Sequence, residues 1–263
     1  MVPVHCRVLD PAAQPGAFVA AWVRRLRAVS EPTLAATPIV AARSGDGPRP
    51  DAADLEQFIT DFRDGSGDRR AVDRPLLCAM LGVPAGPPPE LDACRADVLA
   101  WWALHHSSAR GLLPIDWAAR GRLFPGLEDE AIEVWTEAEM SGLHALCWIG
   151  LASCDERVLA RAFACAEWLV DEVQPDNGTQ RPWAVHPFIV MACDPARVPG
   201  ARGATGLYAE TLVHNALVGR GTPDVFSAAL LWDAASWLET FTLIDRGRPP
   251  AETRHVSPRD AAS

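Results

Sequence analysis

Lysine is absent: all 24 basic side chains of the 263-residue chain are arginine. Its absence excludes a Schiff-base lysine, a pyridoxal-phosphate lysine and the lysine of a Walker A loop. No GxSxG, HExxH or GxGxxG motif occurs either, so the standard serine-hydrolase, zincin and dinucleotide signatures are missing. No apolar run reaches the roughly 18 residues of a membrane helix, which excludes a membrane span. Positive charge is scarce and scattered. The formal charge is −10, and the one dense basic cluster, Arg24-Arg25-Leu26-Arg27, reads as the solvated face of a helix. Nucleic acid is therefore not an expected partner, because such binders concentrate cations to displace counterions.

The seven cysteines are odd in number and form no CxxC pair. The first residues, MVPVHCRVLDPAAQ, lack the charged and apolar regions of a signal peptide. Both features favour free thiols in a reducing compartment and a cytoplasmic location. Cys147 and Cys165 fall in apolar helical runs, where a free cysteine behaves as a small hydrophobe.

Alternation with period two is almost missing, and Thr37–Ala41 (TPIVA) is the one strand-like run. Helical spacing is plentiful. It predicts helices over Ala17–Val29, Ala53–Phe62, Pro75–Leu81, Glu90–Ser107, Leu127–Leu151, Glu156–Val173, Trp183–Cys193, Thr205–Val218 and Asp224–Phe241. Asp155 is placed to cap the helix from Glu156, and Thr222-Pro223 to open the one from Asp224. Pro187 should strain the helix drawn from Trp183. The fold class is all-α, an array of antiparallel helical hairpins. The proline run at 84–89 divides the chain into an irregular N-terminal helical segment, 1–89, and a helical-hairpin core domain, 90–245. A polar, proline-rich tail, 246–263, should be disordered.

Histidines supply the chemistry. His105, His144, His186 and His214 each follow an apolar residue inside a predicted helix. If the hairpins are repeats, His144, His186 and His214 converge on one axis, and Glu137 and Glu210 lie on the faces of two of them. Histidine with carboxylate suits a divalent metal (zinc, iron or manganese), with Glu137 and Glu210 as the catalytic acid–base groups. Separately satisfied core histidines are the plainer alternative. Ten tryptophans against a single tyrosine suggest either core packing or an aromatic-walled cavity. In the second case Trp148, Trp183, Tyr208 and Asn215 are the candidate substrate contacts.

Trp168-Leu169-Val170 followed by Gln174, Gly178 and Trp183 resembles the turn that joins outer to inner helices in the α/α toroid superfamily. The similarity is to its terpenoid-cyclase and prenyltransferase branches and spans about residues 90–241. It implies a ring of helical hairpins around a central cavity. Their catalytic motifs do not carry over, for the chain has no DxDD acid and no DDxxD diphosphate site. Two functions are thus expected. One is a metal-assisted small-molecule enzyme with a polar central cavity lined by His, Glu and Trp; the other is a non-catalytic helical-repeat protein that binds a small-molecule ligand or a protein partner.

Overall fold

A computed structural model describes residues 15–44, 50–90, 94–126, 130–174, 179, 181–194 and 199–247. The described residues form eleven helices and no strand. They are α1 (Pro15–Leu34), α2 (Pro38–Ser44), α3 (Ala52–Asp61), α4 (Asp73–Leu81), α5 (Ala96–His105), α6 (Ser107–Arg110), α7 (Ile132–Ser153), α8 (Glu156–Glu172), α9 (Val185–Cys193), α10 (Pro199–Asn215) and α11 (Val225–Gly247). None is long and apolar enough to cross a membrane.

Several boundaries differ from those the sequence predicts, each for a local reason. The strand-like Thr37–Ala41 lies in and before α2, whose first residue is Pro38; proline's fixed φ suits that position. Ala184 takes a left-handed conformation, φ 49°, so α9 starts at Val185 and not at Trp183. Pro187 therefore falls in the first turn, where a missing N–H costs nothing, and the expected strain does not arise. Asp224, not Thr222, caps α11, accepting the Ser227 amide at 2.7 Å. Asp155 caps α8 through the amides of Arg157 and Val158, as its position predicts. The Pro175–Gly178 turn and the tail beyond residue 247 lie outside the described residues.

The apolar faces meet in one continuous core. α1 lies along α11 and touches α9; α5 packs on α7, α7 on α8, and α9 on α10 and α11. Trp22, Trp101, Trp183 and Trp237 are all fully buried in it. Two buried polar side chains fasten residues 116–124 across this core. Arg161 donates to the carbonyls of Asp116, Gly121 and Arg122, while Glu139 accepts the amides of Leu123 and Phe124 at 2.7 and 3.0 Å. Each would be costly without partners, and each has several.

Candidate functional site

One face of α7 carries Glu137, Ser141, His144 and Trp148, spaced about one turn apart. Ser141 accepts the Trp101 indole N–H at 3.1 Å. The left-handed turn at Ala184 offers its amide to His144 Nδ1 at 3.2 Å. That bond leaves Nε2 as the protonated nitrogen, which donates to Asp233 Oδ2 of α11 at 3.1 Å. Trp148 donates to the same oxygen at 2.6 Å.

His186 lies against His144, ring centroids 4.5 Å apart, and 4.7 Å from Trp237. It is wholly buried, and neither ring nitrogen has a hydrogen-bond partner among the described residues. Burial, with the His144 ring beside it, holds its pKa well below the usual imidazole range. The ring is neutral at pH 7.

At the Glu137 end of this face lies an open cleft of about 590 Å³. Asp64, Glu137, Arg181, Asn215, Arg220 and Ser227 line it, from the α3–α4 loop, α7, the strip before α9, the end of α10, the α10–α11 turn and the start of α11. Arg181 Nη1 pairs with Glu137 Oε1 at 2.5 Å, and its Nη2 sits 3.7 Å from Asp64 Oδ2. Asp64 also takes the amides of Ser66 and Asp68 at 2.8 Å and pairs with Arg70. Burial pushes the Asp64 carboxyl up, but these amides and Arg70 outweigh it and hold its pKa below the ordinary value. Gly65 makes the loop's approach possible: a Cβ there would come within 2.6 Å of Asp224 Cβ. The Trp183 indole donates to Glu137 Oε1 at 3.4 Å, so Glu137 joins the cleft to the histidine core behind it.

Comparison with family models, characterised proteins and solved structures finds no match.

The structure brings some of the expected residues together and separates others. His144 and His186 are in ring contact, whereas His214 is exposed in the last turn of α10. Among the described residues, no group of three or more His, Cys, Asp or Glu is arranged to hold a metal ion. Glu210 sits one turn before His214, yet it pairs with Arg25 of α1. Tyr208 is buried and stacks on Phe188, centroids 4.4 Å apart. Trp183 is buried behind Glu137, and Trp148 is half-buried beside Asp233, while Glu137 and Asn215 line the cleft. Sequence reasoning missed Asp233, although a lone acid within the apolar run Phe226–Trp237 was a visible signal. Asp64, Arg181, Arg220 and Ser227 gave no comparable signal, being ordinary polar residues near turns.

Proposed function

We propose that the chain binds a small polar molecule in the cleft above Glu137 and Arg181. The observation that carries this is the floor itself. Side chains from distant parts of the chain converge there on a fixed Asp64–Arg181–Glu137 array. Charges held in place before a ligand arrives are the mark of a preorganised polar site. Glu137 Oε1 is engaged by Arg181 and Trp183, but Oε2 has no partner among the described residues and is available to a ligand. The site stands on these groups and not on a metal centre at the histidines, because both His144 nitrogens are already engaged.

The helices are proposed to form a closed array of antiparallel hairpins, in keeping with the toroid resemblance. The packing of α7 on α8 and of α9 on α10 supports hairpins. Closure is supported by α1 lying along α11, the first and last of the described helices.

A thermal-shift screen of the full chain against small charged and neutral metabolites tests the cleft. Val218 stands at its rim and is 63% exposed, so Val218→Trp should block the mouth without disturbing the core. A ligand that raises Tm in the parent chain but in neither Val218→Trp nor Glu137→Gln is the expected result. Shifts that survive both substitutions, or no shift from any compound, would overturn it.

A further inference from the structure

We infer that the cleft takes a zwitterion, a free α-amino acid with its carboxylate at Arg220 and its ammonium at Asp224; this rests on the cleft being a ligand site. On the floor Arg181 is matched with Glu137 and Asp64, and Asp64 with Arg70. Other charges of the lining are not matched: Arg220, Glu133 and Asp224 form no ion pair among the described residues. They carry both signs, so a ligand with charge of one sign serves only part of them. Two of them come to one place. A Cβ on Gly65 would stand 2.9 Å from Arg220 Nη1 and 3.2 Å from Asp224 Oδ2. Opposite charges thus end beside the same glycine without pairing with one another, and Asp64 and Ser66 on either side of it line the cleft.

The Asp224 carboxylate is fixed where it stands, because Oδ1 accepts the Ser227 amide at 2.7 Å at the start of α11. Its Oδ2 has no partner among the described residues. Ser227 is only 4% exposed, yet it lines the cleft, and its hydroxyl has no hydrogen-bond partner among the described residues. An ammonium group has donors and no acceptor, so it suits a spare carboxylate oxygen and a spare hydroxyl oxygen on one turn. A guanidinium without a carboxylate suits the other end of the same molecule, since arginine binds carboxylates by strong paired hydrogen bonds. An α-amino acid carries both charges on one carbon, which matches opposite charges held at one place. Simple ions fit less well. An anion on Arg220 lies beside Asp224, and a cation on Asp224 lies beside Arg220. The carboxylates of Asp64, Glu133, Glu137 and Asp224 outnumber the guanidiniums of Arg181 and Arg220 in the lining, so a second negative charge on the ligand is repelled. The side chain of the amino acid is therefore neutral or basic.

A thermal-shift screen of the full chain against the standard L-amino acids, followed by titration calorimetry, tests the assignment. At least one neutral or basic amino acid should bind, and aspartate and glutamate should bind more weakly. The decarboxylated amine and the N-acetyl derivative of the best binder should each lose about 10-fold or more in affinity. Arg220→Gln, at an exposed residue, should weaken the amino acid by roughly 10- to 100-fold and leave the decarboxylated amine unaffected. Asp224→Asn keeps a capping oxygen for Ser227, so Tm should hold while amino-acid affinity falls by a similar factor. Amino-acid binding that neither substitution weakens would place the two charges elsewhere and overturn the assignment. If no amino acid binds, but another metabolite raises Tm in a way that Val218→Trp removes, the zwitterion is wrong while the cleft remains a ligand site. If nothing binds at all, the cleft proposal fails and the zwitterion fails with it.

Discussion

His144 and Asp233, 89 positions apart in the chain, share a hydrogen bond of 3.1 Å with both side chains buried. Asp233 Oδ2 also takes the Trp148 indole N–H, so one carboxylate oxygen ties α11 to two turns of α7. Asp233→Leu would take the shared acceptor from the buried His144 ring and the half-buried Trp148 indole. At about 1–3 kcal/mol for an unsatisfied buried group, the His144 donor alone should cost on the order of 1–3 kcal/mol. Asp233→Asn keeps one oxygen and should cost less. Adding His144→Leu to Asp233→Leu should restore little of the loss, since it removes one orphaned donor but strips the buried Ala184 amide of its acceptor. Urea unfolding of the three variants reads these differences; equal losses for Asp233→Asn and Asp233→Leu would show that the oxygen is not the anchor.

His186 runs the other way, as a polar ring held in the core with no hydrogen bond to any described residue. His186→Leu should raise stability by about 1–3 kcal/mol, because two unsatisfied nitrogens are replaced by packed carbon. A pH signature accompanies it. Burial depresses the native pKa far below the ordinary value of 6.5, so below about that pH the unfolded chain binds a proton that the native chain refuses. Native stability from this group is therefore present above 6.5 and lost as pH falls. The stability gap between His186→Leu and the parent should widen from pH 7.5 to pH 5.5. A constant gap would mean that the ring is not held neutral.

Much of this region was legible in the sequence and some of it could not be. The polar stripe Glu137, Ser141, His144, Trp148 follows from helical spacing alone, as does the Asp155 cap. The partners of that stripe do not. Trp101, Ala184, Arg181 and Asp233 come from other elements, and periodicity along one helix says nothing about what faces it. The Glu210–His214 spacing shows the opposite limit. Two side chains one turn apart are close by geometry, but an arginine from α1 reaches the carboxylate and His214 is left exposed. The backbone reversal at Ala184, which sets the start of α9, was hidden because alanine seldom adopts that conformation.

Glu139 should produce a pH dependence of the opposite sign to that of His186. Burial raises its carboxyl from 4.5 to about 7, against the amides of Phe124 and Leu123, which pull it down. Between those values the native chain holds a proton that the unfolded chain has released. Its contribution is complete below 4.5 and fades as pH rises through about 7, a change on the order of 3 kcal/mol. Glu139→Gln removes the titrating group. The stability difference between the Glu139→Gln variant and the parent, measured by urea unfolding across pH 5 to pH 8, should therefore favour the variant progressively as pH rises. A difference independent of pH would show that the buried carboxyl keeps an ordinary affinity for its proton.

Gly142 offers the sharpest steric test, because it lies where α7 passes under the Phe124 ring. A Cβ at this position would stand 2.2 Å from Phe124 Cε2 and 2.4 Å from Cζ, far inside contact distance. Phe124 is 1% exposed, and Glu139 holds its backbone amide, so the ring has little room to withdraw. Gly142→Ala in an exposed helix would stabilise by roughly 0.5–1 kcal/mol through backbone entropy. Here overpacking of about 1–3 kcal/mol should exceed that gain and lower Tm. Phe124→Leu shortens the side chain at the point of collision. In that background Gly142→Ala should be neutral or stabilising, reversing its sign. If Gly142→Ala lowers Tm equally in the parent chain and in the Phe124→Leu background, the ring is not what it strikes, and the close approach of this strap to α7 is wrong.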